Sequence, residues 1–284
     1  MIASSELILN ADGSIYHLNL LPEDLADTII FVGDPDRVSL VSQHFDCIEL
    51  KKAKREFITH TGSYKGKRIS VISTGIGTDN IDIVLNEIDA LVNIDFSSRE
   101  VKKEIRSVDI IRIGTSGAIQ PDIAMGTILA SRHAVGFDTL MQFYRKPYSL
   151  QQKQMQSVIK EGFADLSFTP YIASASDKLL AKFAGTLTKG ITMTAPGFYA
   201  PQGRSVRSSN VFTDLIAQAS ALEFDSGKIT NLEMETAGIY ALCEMFGHHA
   251  LSINAILASR VNATFSENPE EIVAGAIKHV LDCI

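Results

Sequence analysis

Only three of the 284 residues are cysteine, Cys47, Cys243 and Cys283, and no two form a Cys-x-x-Cys pair. So sparse and odd a set argues against a disulfide framework and against a zinc site. The seven histidines are scattered and contain no His-Glu-x-x-His run, so surface or satisfied core positions are their default placement. No Walker A sequence is present. No apolar run approaches the ~20 residues that a membrane span needs, although mean hydropathy is +0.11. Residues 1–10 lack the basic region and apolar core of a signal peptide, which predicts a cytoplasmic protein. Positive charge is also short: 26 Lys and Arg against 33 Asp and Glu leave a net charge of −7. That balance disfavours nucleic acid, whose binders present a broad basic face. An anionic small ligand would need a local arginine cluster working against the global field. The absence of Trp excludes nothing.

What is present is alternation. With 45% hydrophobic residues the chain can bury a large core. Residues 28–33 read as a buried strand, left through Asp34-Pro35-Asp36-Arg37 into a helix over 38–45, with Asp34 as its N-cap. Strands follow over 57–64 and 68–73, then a helix over 80–95 whose Ile81, Val84, Leu85, Ile88, Leu91 and Val92 share one face. Residues 97–106 are charged and read as a solvated connection. Strands are expected from 108 and over 127–133, 169–173, 190–194 and 250–258. Helices are expected over 150–163, 177–184, 211–222, 233–246 and 269–283, the last started by Asn268 and an acidic pair. Residues 195–209, rich in Pro, Gly and Ser, form a long loop of the kind that often serves function. With no linker and no repeat, the pattern predicts a single α/β domain over 1–284, helices covering both faces of a largely parallel or mixed sheet.

Four stretches could carry chemistry. Val108 to Gln120 begins as an apolar strand interrupted by Arg112 and continues Gly114-Thr115-Ser116-Gly117. An arginine at the end of a buried strand, followed by amides and hydroxyls, suits an oxyanion; pairing with an internal carboxylate is the competing explanation. In Gly33-Asp34-Pro35-Asp36-Arg37 a glycine ends a strand and an arginine follows one turn into a helix. That is either a phosphate site or a capped helix with a surface arginine. Asn231 to Thr236 opens a helix with Glu233 and Glu235, which either grip sugar hydroxyls or simply favour the helix dipole. Gln202 and Arg204 sit in the long loop, where a glutamine can meet one edge of a heterocycle or merely face solvent. Gly75-Ile76-Gly77 holds two glycines of a dinucleotide fingerprint without the third.

Five motifs together carry a resemblance: Gly33-Asp34-Pro35-Asp36-Arg37-Val38, Arg55-Glu56-Phe57, Ser73-Thr74-Gly75-Ile76-Gly77, Arg112 to Gln120, and Glu233-Met234-Glu235. In this order, over roughly residues 16–280, they resemble the nucleoside phosphorylase-I family in its uridine phosphorylase branch. The resemblance implies a three-layer fold with a central mixed sheet flanked by helices. It implies a pentosyltransferase of pyrimidine salvage that cleaves uridine with inorganic phosphate to uracil and ribose 1-phosphate, with deoxyuridine and thymidine as further candidates. By motif, Gly33, Arg37, Arg55, Arg112 and Thr115 would bind phosphate, Arg55 in the neighbouring subunit's site. His17, also lent across a dimer, would bind ribose with Thr115, Glu233, Met234 and Glu235. Phe198, Gln202, Arg204 and Arg260 would bind the base, and Arg112, Glu235, Gln202 and Arg204 would carry the catalysis.

The implied assembly is a homodimer or a hexamer with shared sites. No organic cofactor is implied. Some relatives carry a monovalent cation at the dimer interface, which would fall near Glu56, Ile69 and Ser73 here and would be K+. The chain departs from the family at Pro201, at Gly203 and in a longer segment over 93–107. A purine nucleoside phosphorylase or a nucleosidase on the same fold is the nearest alternative. Bacterial purine relatives place an acid where this chain has Ser259, and a serine cannot protonate a purine. A non-catalytic nucleoside-binding protein is the alternative of a different class.

Overall fold

A computed structural model describes all of residues 1–284. The chain runs β1 (Thr28–Val32), α1 (Pro35–Ser42), β2 (Cys47–Lys54), β3 (Phe57–Tyr64), β4 (Lys67–Ser73) and α2 (Thr78–Asn93). It continues through the short strands β5 (Ile94–Asp95) and β6 (Glu100–Val101) to β7 (Asp109–Ala118), β8 (Ile128–Gly136), α3 (Leu150–Gly162) and β9 (Tyr171–Ser174). Then come α4 (Asp177–Phe183), β10 (Thr188–Thr194), α5 (Leu215–Ala221), β11 (Glu223–Phe224) and β12 (Gly227–Glu233). Last are α6 (Thr236–Phe246), β13 (His249–Ser259), β14 (Thr264–Phe265) and α7 (Pro269–Cys283).

The central sheet has the order β11-β12-β10-β8-β13-β7-β1-β4-β3-β2, mixes parallel and antiparallel pairs, and is flanked by helices. It also closes on itself: β12 pairs with β10 on one side and with β7 on the other, Leu232 opposite Gly117. This closure brings the end of β12 against β7, where the site forms. The helix α6 is apolar enough to be covered all round; Thr236 to Cys243 are all buried. The predicted stripe of α2 is buried, Ile81 to Val92, and packs with α6 into one large core.

Several expectations need correction. The strand from 108 does not stop at its glycines; β7 runs through Gly114 to Gly117, paired with β13 across a bulge between Ile256 and Ala258. β2 escapes the sequence pattern because it is the outer strand: it alternates only between exposed and half-buried, and Lys51, Lys52 and Lys54 give it the charge that suits a sheet edge. β12 is hidden by buried polar residues. Asn231 lies in full burial, donating to Ser116 Oγ at 2.9 Å and accepting from Thr192 and Thr230 hydroxyls. Glu233 therefore ends a strand instead of opening α6, which begins at Thr236. Residues 97–106 are not only a solvated connection, since β6 folds back on β5 as a small hairpin. The helix expected over 211–222 is confined to Leu215–Ala221. Asp34 caps α1 as expected, accepting from Asp36 N–H at 3.0 Å, whereas Asn268 holds the N-cap position of α7 without a side-chain bond.

Candidate active site

A cavity of about 830 Å³ opens where β1, β7, β12 and β13 end. Val32 of β1 lies opposite Ile113 of β7, so Gly33 and the first turn of α1 stand beside the Gly114 to Gly117 run. Arg37, on that turn, reaches across to donate to Ile113 C=O at 3.4 Å. It has no carboxylate within ion-pair distance. Burial and the neighbouring Arg112 charge both push its pKa down, so an anion arriving here would relieve both penalties.

Arg112 is 4% exposed and resolves its two sequence readings in an unexpected way. It is paired with internal carboxylates and it also borders the cavity. One guanidinium nitrogen meets Glu235 and, at 3.1 Å, Glu233; the other donates to Asn254 Oδ1 at 3.1 Å and Ser252 Oγ at 3.4 Å. Burial works against its charge, but the two carboxylates more than offset this and hold its pKa above the ordinary value. Gly114 makes room for that guanidinium, which a Cβ at this position would overlap.

The two glutamates differ in what they have left to give. Glu233 accepts from the N–H groups of Glu235 and Thr236, both at 2.9 Å, and from Thr194 Oγ1 at 2.6 Å. It caps α6 and fixes the turn that aims its neighbour. Glu235 accepts from Gly77 N–H at 2.8 Å and from Arg112. Burial raises its pKa, with Arg112 opposing the shift. Met234, between them, lines the cavity with Thr115 and Gly33.

The far end is built from the 195–209 loop. A 3-10 turn over Ala200–Gln202 ends at Gly203, whose φ of +69° suits glycine. Gln202 is 3% exposed, so it is not the solvent-facing residue that its loop context suggested. Its Oε1 accepts from Arg204 at 2.6 Å, and its backbone carbonyl accepts from Arg260 at 2.8 Å. Arg204 also donates to Phe198 C=O at 2.7 Å, with its guanidinium 3.8 Å from the Phe198 ring centroid. Phe198, Gln202 and Arg204 all face the cavity, while Arg260 stands behind them, its stem against Gly117.

His17 and Arg55 do not border the cavity of their own chain. His17 is held by Glu87, and Arg55 is exposed in the turn between β2 and β3 at φ +56°. The cation trio is not assembled within the chain. Ser73 Oγ donates to Glu56 C=O at 2.5 Å, but Ile69 is buried four residues back along β4, about 13 Å away at the rise of a strand. Ser259 is buried and accepts from Asn262 N–H at 3.2 Å. Asn80 and Phe265 also line the cavity, with no local signal to mark them. Phe265 is an exposed aromatic on β14, and only the pairing of β14 with β13 brings it to the rim opposite the loop.

Comparison with known proteins agrees with this geometry. The profile of the phosphorylase superfamily matches residues 27–283. A uridine phosphorylase of Thermococcus kodakarensis is 31% identical over 272 residues, 95% of this chain and 87% of that one. A DeoD-type purine nucleoside phosphorylase of Alkaliphilus metalliredigens is 29% identical, covering 94% of this chain and 97% of that one. Among solved structures, a Trypanosoma brucei nucleoside phosphorylase described as showing uridine phosphorylase activity superposes with a TM-score of 0.87, at 30% identity and 98% coverage of both chains.

Proposed function

The chain belongs to the phosphorylase superfamily, and from that premise we propose that it is a uridine phosphorylase acting as one domain in the cytoplasm. A phosphate oxygen forms the new bond at C1′ while the C1′–N1 bond breaks and its electron pair passes to the uracil. The products are uracil and ribose 1-phosphate. The observation that carries the reading is the pairing of two chemistries in one cavity. Two arginines, one with no carboxylate at ion-pair distance, stand at one end; a fixed glutamine–arginine pair stands at the other.

In this reading Arg37, Arg112, Gly33 and Thr115 hold phosphate beneath C1′. Glu235, aimed by Glu233, holds the ribose hydroxyls beside Met234. Gln202 and Arg204 meet the uracil edge and stabilise the charge that builds on its oxygens, with Phe198 on its face and Arg260 fixing the Gln202 backbone. The work is positioning and preorganised electrostatics, with inorganic phosphate as co-substrate and no organic cofactor or metal in any step. His17 and Arg55, which do not line their own cavity, serve the ribose and phosphate of a neighbouring subunit, so the active unit is at least a homodimer.

Initial rates on uridine, deoxyuridine, thymidine, cytidine, inosine and adenosine at saturating phosphate test the substrate. Uracil and thymine nucleosides should lead and cytidine should lag, because its N3 lacks a hydrogen and its amine would face a donor. Inosine or adenosine as the best substrate would replace this reading by the purine one, and binding without turnover by the non-catalytic one. Mixing inactive Arg55→Ala chains with inactive Glu235→Ala chains tests the shared site. Subunit exchange should restore part of the activity, since one site of the mixed dimer keeps both residues; no recovery after demonstrated exchange would remove the sharing.

A further inference from the structure

The amino-terminal arm ends in a clamp that the cavity itself does not use. The Glu87 carboxylate, on α2, accepts from His17 N–H at 2.9 Å, from Leu18 N–H at 2.8 Å and from His17 Nδ1 at 2.7 Å. A carboxylate offers only lone pairs, so the proton of that last bond sits on Nδ1. The Nε2 of a neutral His17 is then an acceptor, and it has no partner in this chain, with the side chain 25% exposed. Edge contacts with the Tyr16 and Phe57 rings, centroids 4.8 and 6.4 Å away, fix the plane of the imidazole.

The rest of the arm is tied down as firmly. Lys54 donates to Tyr16 C=O and lies 4.2 Å from that ring's centroid. Arg99, in the hairpin of β5 and β6, donates to the carbonyls of Ile2, Ala3 and Leu7. The longer 93–107 segment thus has a use: it orders the arm that carries His17.

We infer that Glu87 is a positioning residue for the phosphorolysis. It holds His17 as the Nδ1–H tautomer and so presents Nε2 as an acceptor to a sugar hydroxyl of the nucleoside in the neighbouring subunit. The inference rests on the reading above that His17 serves that site. Its chemical consequence is selection for a free hydroxyl. A hydroxyl donates to Nε2, whereas a hydrogen at the same position on a deoxy sugar leaves that acceptor without a partner.

The test compares wild type, His17→Ala and Glu87→Gln on uridine and its 2′-, 3′- and 5′-deoxy analogues at saturating phosphate. Glutamine keeps the shape of Glu87 but sets an amide donor against one of the three N–H groups. Glu87→Gln is expected to lower kcat/KM for uridine about 10-fold. On one analogue the penalties of both variants should vanish together, which identifies the hydroxyl. In ¹⁵N spectra, wild-type His17 should carry its proton on Nδ1, and Glu87→Gln should shift it toward Nε2. A Glu87→Gln penalty equal on all four substrates, with a His17→Ala penalty that does depend on the analogue, would make Glu87 a structural tie only. A wild-type proton on Nε2 overturns the inference without any substitution, so it is decided even if Glu87→Gln does not fold. No His17→Ala penalty on any substrate would remove the role of His17 itself, and this inference with it.

Discussion

The two ends of the cavity are built from different kinds of chain. At the arginine–carboxylate end every group stands on a strand or at the start of a helix: Arg37 on the first turn of α1, Arg112 within β7, Glu233 closing β12 and Glu235 entering α6. These groups are buried or half-buried; Arg112 is bonded to both glutamates across the sheet, and Arg37 reaches the backbone of β7. At the loop end Phe198, Gln202 and Arg204 hold each other through contacts within seven consecutive residues, and Arg260 supplies the tie to the sheet. A site that must place charge to a fraction of an ångström gains from rigid elements. A site that must fit one base among several can be changed through a loop without disturbing the fold. In the proposed enzyme, the step common to all substrates sits on the scaffold and the choice of base sits on the loop.

Substitutions at the two ends should therefore differ in kind. The largest effect is expected from Arg112→Ala. In the proposed enzyme it removes a charged contact to phosphate, on the order of 10²-fold or more in rate. It also leaves Glu233 and Glu235 buried without their counter-charge, which is expected to cost ~3 kcal/mol of stability in denaturant titration. Lost rate with unchanged stability would mean that the ion network contributes nothing to the fold. Glu235→Gln keeps the volume and the Gly77 contact but removes a charge from Arg112, and kcat should fall about 10- to 100-fold at unchanged phosphate KM.

Arg37→Ala sharpens the contrast within the scaffold end. Arg37 is desolvated, repelled by Arg112 and without a carboxylate at ion-pair distance, Asp34 and Glu235 offsetting only part of its penalty, so it is expected to bind ligand without supporting the fold. Phosphate KM should rise roughly 10-fold or more. The melting temperature without phosphate should stay the same or rise slightly, while the stabilisation by added phosphate should shrink. A clear loss of stability in phosphate-free buffer would make Arg37 structural. The smallest effect is expected at the loop: Gln202→Ala should lower kcat/KM for uridine about 10-fold, leave phosphate KM alone and change stability by ~1 kcal/mol or less. Gln202→Ala destabilising the protein as much as Arg112→Ala would erase the distinction between scaffold and loop.

Much of this was legible in the sequence because its signals are local. A strand ending near Gly33, an N-cap at Asp34 and a proline in the first helical turn lie within a few residues; the structure has the cap and the proline as read, ends the strand at Val32 and starts the helix three residues before the expected 38–45, at Pro35–Ser42. Phe57–Tyr64 and Pro269–Cys283 match their expected bounds for the same reason, local end signals: the turn at Lys65-Gly66-Lys67 closes the strand, and Asn268 with the acidic pair Glu270-Glu271 opens the helix. β12 was missed because its buried face is polar: the side chains of Asn231 and Glu233 are satisfied by partners distant in sequence, and a period count reads such residues as exposed. The residues around Gln202 leave it between a base contact and loop surface, because nothing near it in sequence announces Arg260 as the tie that buries it.

The sequence by itself determined the alternation of strands and helices, the family to which they belong and the types of residue that meet in the cavity. Each follows from patterns within a few residues or from the order of short motifs. Only the tertiary structure decided the state of those residues. Arg112 is neutralised by Glu235, 123 positions away, because β12, still paired in parallel with β10, also closes antiparallel onto β7. Whether an arginine in a strand is a free anion site, a structural cation or both depends on which carboxylates that register brings within hydrogen-bonding distance. Charges interact across a few ångströms of space and not along the chain, so only closure of the sheet answers the question.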